Sequence, residues 1–236
     1  MLLALDTATA QISLALHDGH GIIVETTWLS ANNHTVELAP AVIDTLKRAG
    51  VLIDDLTALA VAIGPGSYSA LRIGVAFAKG LAAARGLPLL GMTTLDILAA
   101  AQSRTPGVLI PVVMAGRSRV SAAPYTWSEV DSRWRINGET DNYTWGALIA
   151  MLAERGDPVL ITGEVDAPGA AAITAARANG IPLTLVSPAA RTRRAAYLAQ
   201  DALERMRSLS AAEGVNPAET FSAASITPVY VKSVDK

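Results

Sequence analysis

The chain has no cysteine among its 236 residues, which excludes disulfides and thiolate metal sites and fits a reducing compartment. It has three histidines, His17, His20 and His34, and none stands four residues from another. A helical pair of imidazole ligands is therefore absent, and no metal is expected. His17 and His20 flank an Asp18-Gly19 turn and are expected in water. His34 stands at a helix start and is expected to make a side-chain hydrogen bond. Aromatic residues make up 5% of the chain while alanine abounds, so packing must rely on close approach of small side chains.

The charge balance is a formal −2, with no basic face of the kind that grips nucleic acid alone. The arginines at 191, 193 and 194, and at 205 and 207, read as a solvated helix face. Met1 leads straight into Leu2-Leu3-Ala4-Leu5-Asp6, with no basic leader and no long apolar run. No signal peptide and no membrane span are expected, and the expected location is cytoplasmic. A Gly-x-Ser-x-Gly nucleophile elbow is missing, as is the Lys-Ser/Thr pair of a P-loop.

What is present is a strand-like run, 58–63, followed by Gly64-Pro65-Gly66-Ser67-Tyr68-Ser69 and an amphipathic helix over 67–85 that stops at Gly86. A strand, a glycine-rich turn and a helix N-terminus form a generic anion cradle, or simply a strand-to-helix connection. Ser67 or Ser69 is expected to cap the helix. Before this segment come strands at 2–5, 12–17 and 22–28 and a helix at 35–49 containing Pro40. After it come a strand at 87–91 and a helix at 94–102. A linker at 103–107 follows. The order then repeats: strands at 108–114, 120–127 and 133–138, a helix at 143–155, a strand at 159–162, a helix at 168–179, a strand at 183–186 and a last helix at 189–208. Two lobes of one α/β design across a cleft are expected. Their division is 1–104 and 105–236, with the last helix and tail able to return to the first lobe.

Two constellations stand out. Asp6, Thr7 and Thr9 form a hairpin tip that can hold a metal-bound phosphate or bond its own backbone. The helix 67–85 is apolar nearly all round, so it must be buried on more than one side. Ala70, Gly74 and Ala78 make a smooth stripe beside Leu71 and Val75, and Leu38, Val42 and Thr45 form a stripe on the helix 35–49. Either the second lobe or a partner covers this joint surface.

These residues resemble the bacterial TsaB (YeaZ) family. The resemblance rests on Leu3-Ala4-Leu5-Asp6-Thr7-Ala8-Thr9, Asn33-His34-Thr35, Ala60-Val61-Ala62-Ile63-Gly64-Pro65-Gly66-Ser67-Tyr68-Ser69, Leu71-Arg72-Ile73-Gly74, Leu87-Pro88-Leu89-Leu90-Gly91 and the tail Ile226–Lys232. It is dense over 1–101 and thin over 105–220. It implies two actin-like, ribonuclease-H-like lobes, each a mixed sheet with helices. It also implies a non-catalytic subunit that binds and stabilises TsaD, the catalytic paralogue, and works with TsaE to make threonylcarbamoyladenosine in tRNA.

The partners implied are a TsaD-like subunit, a TsaE-like ATPase, a second copy when alone, and tRNA only through the complex. No cofactor and no catalytic residue are implied. The interface would be Leu38, Val42, Thr45, Ala70, Leu71, Gly74, Val75 and Ala78, with Asp6, Thr7 and Thr9 a vestigial nucleotide loop. TsaD carries a His-x-x-x-His pair where this chain has Thr94 and Leu98, and neither suits a transition metal. The chain departs from the family at Ser69-Ala70, at Met114 of Met114-Ala115-Gly116-Arg117, and near Gly163-Glu164, where an acidic turn residue is missing. Competing readings are an active enzyme of the same fold, either an ATPase or metallopeptidase-like, and a self-associating scaffold.

Overall fold

The computed structural model describes residues 1–30, 33–116, 118–210 and 217–231. Arg117 and Lys232, both within motifs quoted above, lie outside the described residues. The first half runs β1 (Leu2–Asp6), β2 (Gln11–His17), β3 (Ile22–Leu29), α1 (His34–Ala49), β4 (Ala58–Ala62), α2 (Tyr68–Arg85), β5 (Leu89–Met92) and α3 (Thr94–Ala100). Next come β6 (Val108–Gly116), β7 (Arg119–Ala122), β8 (Tyr125–Ser128), β9 (Arg133–Ile136), β10 (Asp141–Thr144) and α4 (Trp145–Arg155). The chain continues through β11 (Val159–Gly163), α5 (Ala167–Ala178), β12 (Leu183–Leu185), α6 (Ala195–Ser210) and α7 (Pro217–Thr220).

Two sheets share one topology. The first has strand order β3-β2-β1-β4-β5, antiparallel through β1 and parallel from β1 onward. The second has order β10-β7-β6-β11-β12 with the same change of direction at β6, and β8 and β9 attached beside it. The central strands β1 and β4 are buried along their whole length, which explains their continuous apolar runs.

The chain divides into two compact units. One comprises Met1–Thr93 with Arg194–Val229, the other Thr94–Arg193 with Tyr230–Lys236. Against the expected division at 104/105, α3 therefore belongs to the second unit, where it packs on β6 and β9. In the first unit α6 packs on β1, β2 and β4, and the tail straps the β5 edge through the Leu89 N–H to the Phe221 carbonyl at 2.8 Å.

Several local expectations are revised. The strand expected at 120–127 is two strands, since Ala123-Pro124 lies between β7 and β8 and proline has no N–H for the ladder. Residues 141–144 form β10, and Thr144 then caps α4 by accepting the Ala147 N–H at 3.2 Å. The last helix begins at Ala195, not 189. Its first N–H groups are satisfied by distant strands: Ala195 donates to Ser13 Oγ at 2.8 Å and Ala196 to Glu25 Oε1 at 3.0 Å. Helix α1 runs unbroken through Pro40, whose exposed ring turns the lost hydrogen bond toward water.

Candidate functional site

The Gly64–Gly66 turn follows β4 as the sequence suggests, but packing accounts for its glycines. A Cβ on Gly66 would lie 2.1 Å from the Ala8 carbonyl oxygen, and one on Gly64 would lie 2.5 Å from that of Val229. Gly64 also sits at φ +108°, a region that side-chain-bearing residues avoid. The Ser67 N–H, which an anion would need, donates to the Ala8 carbonyl at 2.7 Å, and the Val229 N–H donates to the Ile63 carbonyl at 2.6 Å. Ser67 occupies the cap position of α2, yet its side chain makes no capping bond. The turn is thus a clamp between the β1–β2 hairpin and the tail. The connection reading fits it better than the anion cradle.

The expected nucleotide loop is likewise engaged internally. Asp6, Thr7 and Thr9 are all buried. Asp6 Oδ1 accepts the Ala8 N–H at 2.9 Å, Thr7 Oγ1 donates to the Ala70 carbonyl at 2.8 Å, and Thr9 Oγ1 accepts the Gln11 N–H. His34 is buried and its Nε2–H donates to the Thr9 carbonyl at 2.8 Å, the structural role expected of it. His17, expected in water, is buried instead. Its Nδ1 accepts the Gly19 N–H at 2.9 Å, so the proton sits on Nε2, which donates to Gln200.

The eight residues named for the interface require the largest correction. Leu38, Val42, Thr45, Ala70, Leu71, Gly74, Val75 and Ala78 are all buried within the chain's own first unit. The stripe Ala70-Gly74-Ala78 faces inward because Thr7 fills the notch at Gly74, where a Cβ would lie 2.2 Å from Thr7 Oγ1. A second stripe of small residues, Ala76, Gly80 and Ala83, faces out with Arg72, and the site of a Cβ on Gly80 is open. Beside α2, α1 exposes Val36 by 68% and Ile43 by 62%, with Ala39 and Pro40 between them. Arg72 stacks on the exposed Tyr68 ring at 3.7 Å. Among the described residues an exposed apolar face therefore exists on α1 and α2, but a part-turn from the residues first chosen.

Thr94 and Leu98 are fully buried on α3, and Leu98 packs in the core of the second unit. Among the described residues no cluster of three histidine or acidic side chains could hold a metal. Where an acidic turn residue is missing near Gly163, sequence reasoning overlooked a substitute. Glu164 Oε2 accepts the Met114 N–H at 3.0 Å, and Glu164 Oε1 pairs with Arg193 at 2.8 Å, the guanidinium being 1% exposed. The region is knitted by the chain's own charges. Only the unusual run of arginines at 191–194 hinted at it.

Two sheets of the same crossed topology, one following the other, define a two-lobed actin-like protein. The solved structure of YeaZ from Pseudomonas aeruginosa shares this fold, with a TM-score of 0.67 over 98% of this chain and 99% of that one at 23% identity. A family profile described as TsaD, tRNA N6-adenosine threonylcarbamoyltransferase, matches residues 7–140. The chain is 32% identical over 162 residues to the tRNA threonylcarbamoyladenosine biosynthesis protein TsaB of Bacillus subtilis, covering 69% of this chain and 70% of that protein. It is 39% identical over 106 residues to TsaB of Escherichia coli, covering 45% and 46%. The chain belongs to the TsaB (YeaZ) family of tRNA threonylcarbamoyladenosine biosynthesis proteins. No helix among the described residues is long and apolar enough to cross a membrane.

Proposed function

We propose that the chain is a non-catalytic subunit of the tRNA threonylcarbamoyladenosine-forming assembly, and that it docks on a TsaD-type catalytic subunit through the outer face of α1 and α2. The observation that carries this reading is the exposed apolar face itself. Val36 and Ile43 stand in water on α1 beside the small-residue stripe Ala76-Gly80-Ala83 of α2. Contiguous exposed apolar surface favours association, and small residues allow a partner helix to approach to about 8 Å. The chemistry of the residues agrees with a non-catalytic role. Leu98 and Thr94 lack metal-ligating character, and the hydroxyls and carboxylate of the Asp6–Thr9 turn are spent on backbone groups. A TsaE-like ATPase and tRNA would be met through the assembled complex.

The test is co-elution with the TsaD-type subunit of the same organism, using substitutions confined to exposed positions. Ile43→Glu and Ala76→Glu leave the fold intact and bury a charge on docking. That costs on the order of several kcal/mol, a loss of affinity of a hundredfold or more at about 1.4 kcal/mol per decade. Folded variants that bind TsaD as tightly as the wild type would refute the docking face. Threonylcarbamoyl transfer by the chain without TsaD would refute the non-catalytic role.

A further inference from the structure

The second sheet forks where β8 leaves β6. β8 carries on the line of β7 beside β6, and the shared register of Val112 with Ala122 and Leu109 with Tyr125 would next pair Gly107 with Trp127. That rung is missing. Gly107, at φ +90°, turns the chain out of the strand before the rung can form. The Asn137 N–H donates to the Pro124 carbonyl at 2.7 Å, which sets the alternation along β8. The backbones of Thr126 and Ser128 bond toward β9, and those of Tyr125 and Trp127 turn the other way. Trp127 therefore presents one N–H and one C=O to the gap, without a partner among the described residues.

The gap is a groove of about 580 Å³ between the segment 104–107 and residues 126–129. Arg104 Nη2 and Glu129 Oε1 meet across it at 2.5 Å, with their side chains 63% and 65% exposed. An exposed pair of this kind stabilises little, so an occupant parts it at small cost. Thr105 Oγ1, buried in the groove wall, also has no partner among the described residues.

These groups select the occupant. A simple anion meets the repulsion of Glu129, and a simple cation that of Arg104. A ligand with both charges on one carbon satisfies both, its carboxylate on Arg104 and its ammonium on Glu129. In a peptide the two charges stand at opposite ends, so the match is to a free α-amino acid. Two residues further along the strand, about 7 Å in, the Trp127 edge offers a donor and an acceptor side by side. A carboxamide is the side-chain group that answers both at once. An extended glutamine side chain covers most of that distance, and asparagine falls one methylene short.

We propose that this groove binds a free α-amino acid whose side chain ends in a carboxamide, with glutamine the best fit. The groove lies in the second unit and uses no residue of the docking face on α1 and α2, so the proposal stands whether or not that reading holds.

The test uses the full chain and L-glutamine as the probe. Titration calorimetry should show saturable one-site binding, and amide NMR should show the largest shifts at Trp127 and in the segment 104–107. L-glutamate, which cannot donate to the Trp127 carbonyl, should bind roughly tenfold or more weakly, as should N-acetyl-L-glutamine, which lacks the ammonium, and L-methionine, of like length without the carboxamide. Arg104→Gln and Glu129→Gln change only exposed side chains, so circular dichroism should be unaltered while each weakens binding by roughly tenfold or more. Absence of saturable L-glutamine binding in the millimolar range would overturn the proposal. So would folded variants that bind as the wild type, any of the three analogues binding as tightly as L-glutamine, or shifts centred away from Trp127.

Discussion

Alanine at Gly74 and alanine at Gly80 are the same substitution in the same helix, and the structure demands opposite outcomes. In an exposed helix the change from glycine stabilises by about 1 kcal/mol, because alanine loses less backbone freedom on folding. Gly80 meets that condition, since nothing lies within 4 Å of its added Cβ. At Gly74 the new methyl would lie 2.2 Å from Thr7 Oγ1 and 3.2 Å from both Thr7 Cβ and Cγ2. Thr7 is 1% exposed, and its hydroxyl is held by the Ala70 carbonyl at 2.8 Å. A β-branched side chain so placed can retreat only by rotating off its rotamer and abandoning that hydrogen bond. Overpacking of this kind costs about 1–3 kcal/mol and loss of the buried bond about 1 more, which outweighs the helix-propensity gain. Gly74→Ala should therefore lie about 2–4 kcal/mol below Gly80→Ala in stability. Urea unfolding followed by circular dichroism measures the gap. Adding Thr7→Ala should rescue Gly74→Ala although it weakens the wild type, a coupling that a double-mutant cycle isolates. Equal stability of the two alanine variants, or no rescue by Thr7→Ala, would refute the inward assignment of the Ala70-Gly74-Ala78 stripe.

Three further outcomes follow from single contacts. Thr162→Val should raise stability by about 1 kcal/mol in urea titration, because Thr162 Oγ1 is buried with no hydrogen-bond partner among the described residues and the hydroxyl is replaced by a methyl of like size. Gly64→Ala should release the tail from the turn, since its methyl would meet the Val229 carbonyl oxygen at a backbone angle hostile to alanine; hydrogen exchange at the Val229 amide should rise while that of β1 amides is unchanged. The Trp28 indole N–H, donating to Glu37 at 2.9 Å, holds the Glu37 carboxyl below the usual carboxylate range. Its contribution to stability is thus present above the ordinary glutamate value and is lost as pH falls through the lowered one. Carboxyl-carbon NMR titration of wild type and Trp28→Phe should show the Glu37 midpoint moving up in the variant.

Much of the architecture was legible because local signals agree with it. Gly19 and Gly21 punctuate the β2–β3 hairpin, Gly50 and Gly86 end α1 and α2 in left-handed turns, and uninterrupted apolar runs mark β1 and β4. The repeated order of elements foretold the repeated sheet. What was not legible depends on long-range partners. The start of α6 is set by Ser13 and Glu25, which lie 182 and 171 residues away in the chain. The burial of His17 depends on Gln200, and the buried state of Arg193 depends on Glu164. The inward stripe of α2 could not be chosen from periodicity, because Ala70-Gly74-Ala78 and Ala76-Gly80-Ala83 are both small and repeat alike. Only the side chain of Thr7, brought from the first hairpin, distinguishes them.

The discontinuity of the first unit also sets an order of events during synthesis. Its sheet is assembled from residues 2–92, yet one face waits for α6 and one edge for Phe221, both made after residues 94–193. Residues 94–193, most of the second unit, emerge as an unbroken stretch in between. Domains usually mature from the N-terminus onward. Here the segment made second can close its core first, while the segment made before it stays half covered until α6 and Phe221 have been made.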